Sequence, residues 1–153
     1  VKSKTLQPKR KVSPRASSSR IALVTGASRG LGLELAAQLI AAGFQVIGVS
    51  RTTKHWSTAQ KKVNSKNFLL VQADISDSAS VDSLFQCVKE VFPKLDLVVN
   101  NAAYGGKLER IEETTPEEFA NHLRENLFSV FLMSRAAFPF LKKSKQPLVI
   151  NVS

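Results

Sequence analysis

Ile21-Ala22-Leu23-Val24-Thr25-Gly26-Ala27-Ser28-Arg29-Gly30-Leu31-Gly32 decides how the rest of the chain is read. Ile21 to Val24 form an apolar run with the length and branching of a buried strand. Thr25 and Gly26 end the run, and Gly26, Gly30 and Gly32 follow at spacings of four and two. From Leu31 the pattern turns helical, with Leu31, Leu35 and Leu39 one turn apart and Gly43 at the natural stop. Strand, glycine-rich turn and helix together make a phosphate cradle. Glycines let the backbone come close to a pyrophosphate, and the free N–H groups of the first helical turn point at it. Gly26 is expected to open the tight turn, Gly30 to allow close approach, and Gly32 to let the helix pack on the strand. Three glycines alone do not separate this reading from a tight turn in another α/β domain; the flanks do.

Working outward, Gln45–Val49 reads as a second buried strand, with Ser50 and Arg51 at its carboxyl end. Lys54–Asn64 is a short helix and Asn67–Gln72 a third strand, with Asp74 just beyond it. Val81, Leu84, Phe85, Val88, Val91 and Phe92 fall at helical spacing, capped by Asp77 or Ser78. Leu95–Val99 is a fourth strand ending in Asn100-Asn101-Ala102-Ala103. Thr115 and Glu118 form a capping box with Pro116 at the first helical position, and that helix runs toward Asn126. Leu127–Leu141 is apolar on most sides and is expected to be buried against the sheet or a partner. Pro147–Val152 is a fifth strand. Strands alternating with helices, and reading as continuous apolar runs, imply parallel βαβ units in a doubly wound α/β sheet. Right-handed crossovers then place a ligand at the carboxyl ends of the strands, where Gly26–Gly32, Arg51, Asp74 and Asn100–Ala103 all fall.

The 153 residues suffice for one domain with a real core. No apolar run approaches the ~18 residues of a membrane span. Cys87 is the only cysteine, which excludes a disulfide framework and a thiolate metal cluster, and it reads as a small buried hydrophobe. His55 and His122 lack ligand spacing and read as surface residues of helices, so no metal site is expected. The net charge of +10 is unevenly spread: residues 1–20 carry seven Lys/Arg and no acid, leaving the remainder at only +3. That first stretch, rich in serine and without hydrophobic period, is expected to be a disordered tail. Its composition is that of a plastid or mitochondrial transit peptide. Pro8-Lys9-Arg10-Lys11 also loosely matches a nuclear-import run. The plain alternative is a solvated tail in an otherwise cytoplasmic protein. With the basic residues in a tail and no interleaved aromatics, no nucleic-acid surface is expected. Without an initiator Met, the true start is expected to lie upstream.

The spacing T-G-x-x-x-G-x-G resembles that of the short-chain dehydrogenase/reductase family, and the resemblance extends from Arg20 to Ser153. It implies a Rossmann-like domain over residues 21–153, cut short after the fifth strand. Thr25–Gly32 is similar to the coenzyme loop, which would give Thr25, Gly26, Ser28, Arg29, Gly30, Leu31 and Gly32 contact with the cofactor. Asp74 matches the acid that holds the adenine amino group. Asn100-Asn101-Ala102 matches the N-N-A-G motif that steadies the central sheet, with Ala103 in place of the glycine, and adds Asn100 and Ala102 to the cofactor set. Asn126 matches the helix asparagine that holds a water in the proton relay; its plain reading is a polar residue bonded to helix backbone. The resemblance implies a small-molecule carbonyl or alcohol substrate, such as a 3-oxoacyl, steroid or sugar compound, and a homo-oligomer for the full-length protein. Cofactor choice follows from charge. An acid after the second strand would favour NAD, whereas here Ser50 and Arg51 follow it, Arg29 sits in the glycine loop and no acid is expected nearby to repel a 2′-phosphate. Two guanidiniums can clamp a 2′-phosphate, so NADP(H) is expected.

The proton-transfer machinery of the family, a Tyr with a Lys four residues later and a Ser, is not matched. Tyr104 is the only tyrosine, and four residues on stands Leu108. Tyr104 is expected to pack near the mouth of the cofactor or substrate site. Ile150-Asn151-Val152-Ser153 is similar to the strand that precedes the family's catalytic Ser, with Ser153 its neighbour. The expectation is therefore an amino-terminal fragment of a longer NADP(H)-dependent oxidoreductase, inactive as it stands. The alternative is a non-catalytic nucleotide-binding or interaction module.

Overall fold

The structure, a computed structural model, describes residues 19–106 and 110–153. The expected tail lies almost wholly outside the described residues. Among the described residues, five strands and five α-helices follow in the order β1 Arg20–Thr25, α1 Gly30–Ala41, β2 Phe44–Ser50, α2 Trp56–Val63, β3 Phe68–Gln72, α3 Ser78–Val91, β4 Leu97–Asn100, α4 Pro116–Leu123, α5 Ser129–Leu141 and β5 Leu148–Asn151. A π-turn, Arg124–Phe128, joins α4 to α5. The strands form one parallel sheet in the order β3-β2-β1-β4-β5, as the doubly wound reading requires.

Alternation along the strands builds two cores. Ile21 and Leu23 of β1 face α3 and α5 together with Ile47, Val49 and Val98. Ala22 and Val24 face the other way, joining Val46, Leu97 and Val99 against α1 and α2. A strand covered on both faces has no polar side, which is why these stretches read as unbroken apolar runs.

Several expectations are adjusted. β1 begins at Arg20, whose guanidinium donates to the Ala42 carbonyl at 2.8 Å and lies over the Phe44 ring; this residue belongs to the domain and not to the tail. β4 begins at Leu97, because the two residues before it do other work: Leu95 is fully buried, and Asp96 is taken up by the bonds described below. In α1 the buried face is Gly32, Leu33 and Ala36, and Leu31 stands exposed. Cys87 is half-buried. Leu127–Leu141 is buried against the sheet on one side only. Leu132, Met133, Ala137, Phe140 and Leu141 pack on the sheet, but Leu127, Phe128, Phe131 and Phe138 are exposed. One stripe of a helix can meet the sheet, and residues about half a turn away point outward. Among the described residues, no helix is long and apolar enough to cross a membrane.

At the amino ends of the strands, buried Asp96 ties three of them together. Its Oδ2 accepts from the Ile21 N–H at 2.8 Å, its own N–H donates to the Ile21 carbonyl at 2.8 Å, and its carbonyl accepts from Leu148 N–H at 3.0 Å. Lys94 Nζ at 2.7 Å and Ser144 Oγ at 2.6 Å donate to Oδ1.

Candidate nucleotide-binding site

The glycine loop is fixed from both sides at the carboxyl end of β1. Gly26 and Ala27 N–H donate to the Val49 carbonyl of β2 at 2.8 and 3.3 Å. On the β4 side, Thr25 Oγ1 accepts from the N–H groups of Asn101 and Ala102, both at 2.9 Å, and donates to the Val99 carbonyl at 3.4 Å. Asn101 Nδ2 donates to the Thr25 carbonyl at 2.9 Å. The loop is thus a built object, held by a single buried threonine and one asparagine.

Its glycines divide the work. Gly26 has φ +70° and Gly30 φ +56°, a region that side-chained residues avoid. A Cβ at Gly30 would meet nothing within 4 Å, so that side of the loop is open space. A Cβ at Gly32 would collide with the Gly26 carbonyl and with Asn101 Nδ2 at 2.5 Å. Gly32 therefore lets the helix close on the loop itself, rather than on the strand as its spacing had implied.

The first turn of α1 is left bare. Arg29 occupies the N-cap position and offers no side-chain acceptor, and the first turn contains no acid. Helical geometry leaves the N–H groups of Gly30, Leu31 and Gly32 without intrahelical acceptors. Two other helices, α3 and α4, are closed by their own side chains: Asp77 accepts from Ser80 N–H, and Thr115 and Glu118 complete the expected capping box. The residues around α1 fit an anionic group: open space beside Gly30, bare N–H donors, the positive end of a helix dipole and exposed Arg29.

The other site residues lie at neighbouring strand ends. Asp74 follows β3; Oδ1 accepts from Ser76 N–H at 3.0 Å and Ser76 Oγ at 2.7 Å, and Ser76 does not engage Oδ2. Ser50, which leads into Arg51, is buried and accepts from Trp56 Nε1 at 2.7 Å, so its hydroxyl is turned to packing. Ser28 is half-buried in the loop. Arg51 is brought against an acid that sequence order hides: its Nη1 lies 3.0 Å from Glu125 Oε2. The expectation that no acid stands near Arg51 is therefore corrected. The two residues are 74 apart in the chain and meet only because β2 and the π-turn end on the same rim.

Asn100 is buried, and its Nδ2 donates to Asn151 Oδ1 at 2.8 Å and to Ser134 Oγ at 3.3 Å. It thus links β4 to β5 and α5. Asn126 lies in the π-turn, where its amide embraces the backbone of Tyr104: Oδ1 accepts from the N–H at 2.8 Å and Nδ2 donates to the carbonyl at 3.0 Å. The bond to its own helix that composition allowed is replaced by this tether to the loop after β4. The π-turn itself follows from a buried serine. Ser129 Oγ donates to the Glu125 carbonyl at 2.7 Å, while its N–H reaches one residue further back, to Arg124. Such turns carry an extra residue and re-aim the side chains within them. Tyr104 stands beside His122, ring centroids 5.4 Å apart, and His122 is half-buried rather than fully exposed. Glu125, Asn151 and Ser76 were missed from sequence; the one available signal was a serine set inside the apolar run at position 129.

The sequence profile described as short chain dehydrogenase matches residues 20–153. The NADPH-dependent pterin aldehyde reductase of Arabidopsis thaliana is 33% identical over 136 residues, covering 88% of this chain and 56% of that protein. A metagenomic short-chain oxidoreductase solved in complex with NADP superposes with a TM-score of 0.80 at 26% identity, over 88% of this chain and 62% of that one. The 3-ketoacyl-(acyl-carrier-protein) reductase of Brucella melitensis, complexed with NADH, gives a TM-score of 0.80 at 33% identity, over 88% and 57%. The chain spans about half the length of the curated relatives it matches.

Proposed function

This chain belongs to the short-chain dehydrogenase family, and from that premise we propose that it is the NADP(H)-holding part of an oxidoreductase acting on a small carbonyl or alcohol. The observation that carries the reading is the bare first turn of α1 beneath two positive-φ glycines, with open space at Gly30. The dinucleotide, when bound, supplies or accepts a hydride. The chain's own residues do the holding. N–H groups of Gly30, Leu31 and Gly32 take the pyrophosphate, supported by Thr25, Gly26 and Ser28. Asp74 accepts from the adenine amino group. Ala102 borders the ribose, while Asn100 keeps β4 and β5 in register beneath it. Asn126 orders the Tyr104 backbone, next to where a substrate proton would leave.

Arg29 and Arg51 are assigned to a 2′-phosphate. No carboxylate follows β2 directly, and a guanidinium fork suits a phosphate. The NADPH-dependent Arabidopsis relative and the NADP complex support this choice. The Brucella relative is complexed with NADH, so the argument rests on these arginines and not on the fold. Association into a homo-oligomer is in keeping with the exposed apolar stripe Leu123, Leu127, Phe128 and Phe131.

Titration of the chain with NADPH and NADH tests the assignment. Arg51→Ala is expected to weaken NADPH by about 1.5 kcal/mol, the lower end for a hydrogen bond to a charged group, because Arg51 is half in water. NADH binding should be unchanged. An equal loss for both dinucleotides would remove Arg51 from the phosphate site, and absence of binding by either would overturn the nucleotide reading itself.

A further inference from the structure

We propose that Glu125 sets how strongly this chain prefers a 2′-phosphorylated dinucleotide, by occupying the Arg51 guanidinium as an internal anion. The proposal rests on the assignment of Arg51 to the 2′-phosphate. Glu125 reaches the site from the π-turn, and its side chain is 25% exposed against 55% for Arg51. The carboxylate is therefore the better-held partner, and the guanidinium is the one with solvent access. Its two oxygens face different neighbours. Oε2 meets Arg51 Nη1 at 3.0 Å, and Oε1 lies 3.4 Å from Ser76 Oγ. Ser76 donates its one hydroxyl proton over the shorter distance, 2.7 Å, to Asp74. Two carboxylates thus flank one serine, and Arg51 pairs with that of Glu125.

A phosphate arriving at Arg51 meets this arrangement in two ways. It competes with Glu125 for the same guanidinium, and it brings like charge toward the displaced carboxylate. A ribose 2′-hydroxyl does neither, since it is neutral. Glu125 therefore weakens binding of the 2′-phosphorylated dinucleotide and leaves the unphosphorylated one nearly untouched. Its place in the π-turn makes this possible: Ser129 holds the Glu125 carbonyl, and the next residue, Asn126, is anchored on Tyr104.

The test is a cycle of dissociation constants for NADPH, NADH and adenosine 2′,5′-bisphosphate on the full chain. The variants are Glu125→Gln, Arg51→Ala and the double variant. Glu125→Gln should tighten NADPH and the bisphosphate about fivefold, the upper end of what an exposed ion pair is worth. NADH should stay within about twofold, and in the Arg51→Ala background the gain should fall below about twofold. Should Glu125→Gln fail to fold, Glu125→Asp withdraws the carboxylate by one methylene and should shift NADPH in the same direction by less. If neither Glu125 variant raises the NADPH-to-NADH affinity ratio while Arg51→Ala still lowers it, Glu125 is not the competing anion and the Arg51 assignment survives. If Arg51→Ala lowers both dinucleotides alike, the underlying assignment is what fails.

Discussion

Two single residues carry more of the structure than their neighbours. Thr25 Oγ1 serves the Asn101 and Ala102 N–H groups and the Val99 carbonyl from a buried position. Thr25→Val keeps the shape and removes the acceptor, stranding two donors, and should cost at least about 2 kcal/mol in urea unfolding. Thr25→Ser keeps the hydroxyl and should recover most of the loss; equal losses would mean that packing, not bonding, is what Thr25 provides. Asp96 is the second. Burial pushes its carboxyl pKa up, but the bonds from Lys94, Ser144 and the Ile21 N–H, with the Lys94 charge, outweigh this and leave it below the usual 3.8. A carboxyl whose folded value is depressed stabilises the protein fully above its unfolded value, and that stabilisation is lost as pH falls through the folded value. Asp96→Asn should therefore be clearly less stable than the parent at pH 7. The gap should narrow as pH drops below about 3.8, and a gap constant down to pH 2 would show that the charge is irrelevant. Neither role was legible in the sequence. The Asp96 partners Ile21 and Ser144 lie 75 and 48 residues away, and no local pattern marks such a meeting.

Elements were legible to the degree that their local pattern and their surroundings agree. Strands β1, β2 and β4 were, because burial on both faces leaves only apolar residues; β5 has the same apolar run although its residues are exposed. The α4 start was, because a capping box is written in four consecutive residues. The run Leu127–Leu141 was legible in part: its apolar surplus shows that it exceeds what one sheet can cover, but composition alone does not tell which stripe is left outside. The π-turn was invisible for a different reason: its one extra residue depends on where Ser129 finds a carbonyl. The two faces of the π-turn and α5 make opposite predictions. Leu127→Gln and Phe131→Gln, on the exposed stripe, should change unfolding free energy by less than about 0.5 kcal/mol and reduce self-association in sedimentation. Met133→Gln, fully buried, should cost about 3 kcal/mol or more from a stranded amide and lost packing. Comparable effects at 131 and 133 would mean that the outer stripe is covered in solution.

At the scale of the whole molecule, the residues proposed to hold the cofactor gather on one rim of the sheet, while the sequence holds no Tyr-x-x-x-Lys pair. The 153-residue chain should bind nucleotide yet give no carbonyl reduction above background, as its sequence lacks the Tyr and Lys pair that would pass the substrate proton near neutral pH; turnover in that assay would show that another group serves. The order β3-β2-β1-β4-β5 has a consequence for how the chain reaches this form. β1 is the middle strand and the first made. It pairs with β2 across a crossover of about twenty residues, but its other edge is met only by β4, more than seventy residues on. Loop closure grows costlier with length, and non-local parallel pairing is slow. During synthesis the unit β1-α1-β2-α2-β3 is therefore free to assemble first, leaving one open flank of β1 that waits for residues 97–100. The time spent in that half-sheet, rather than the stability of the finished one, is then the period in which a nascent chain is most exposed to wrong partners.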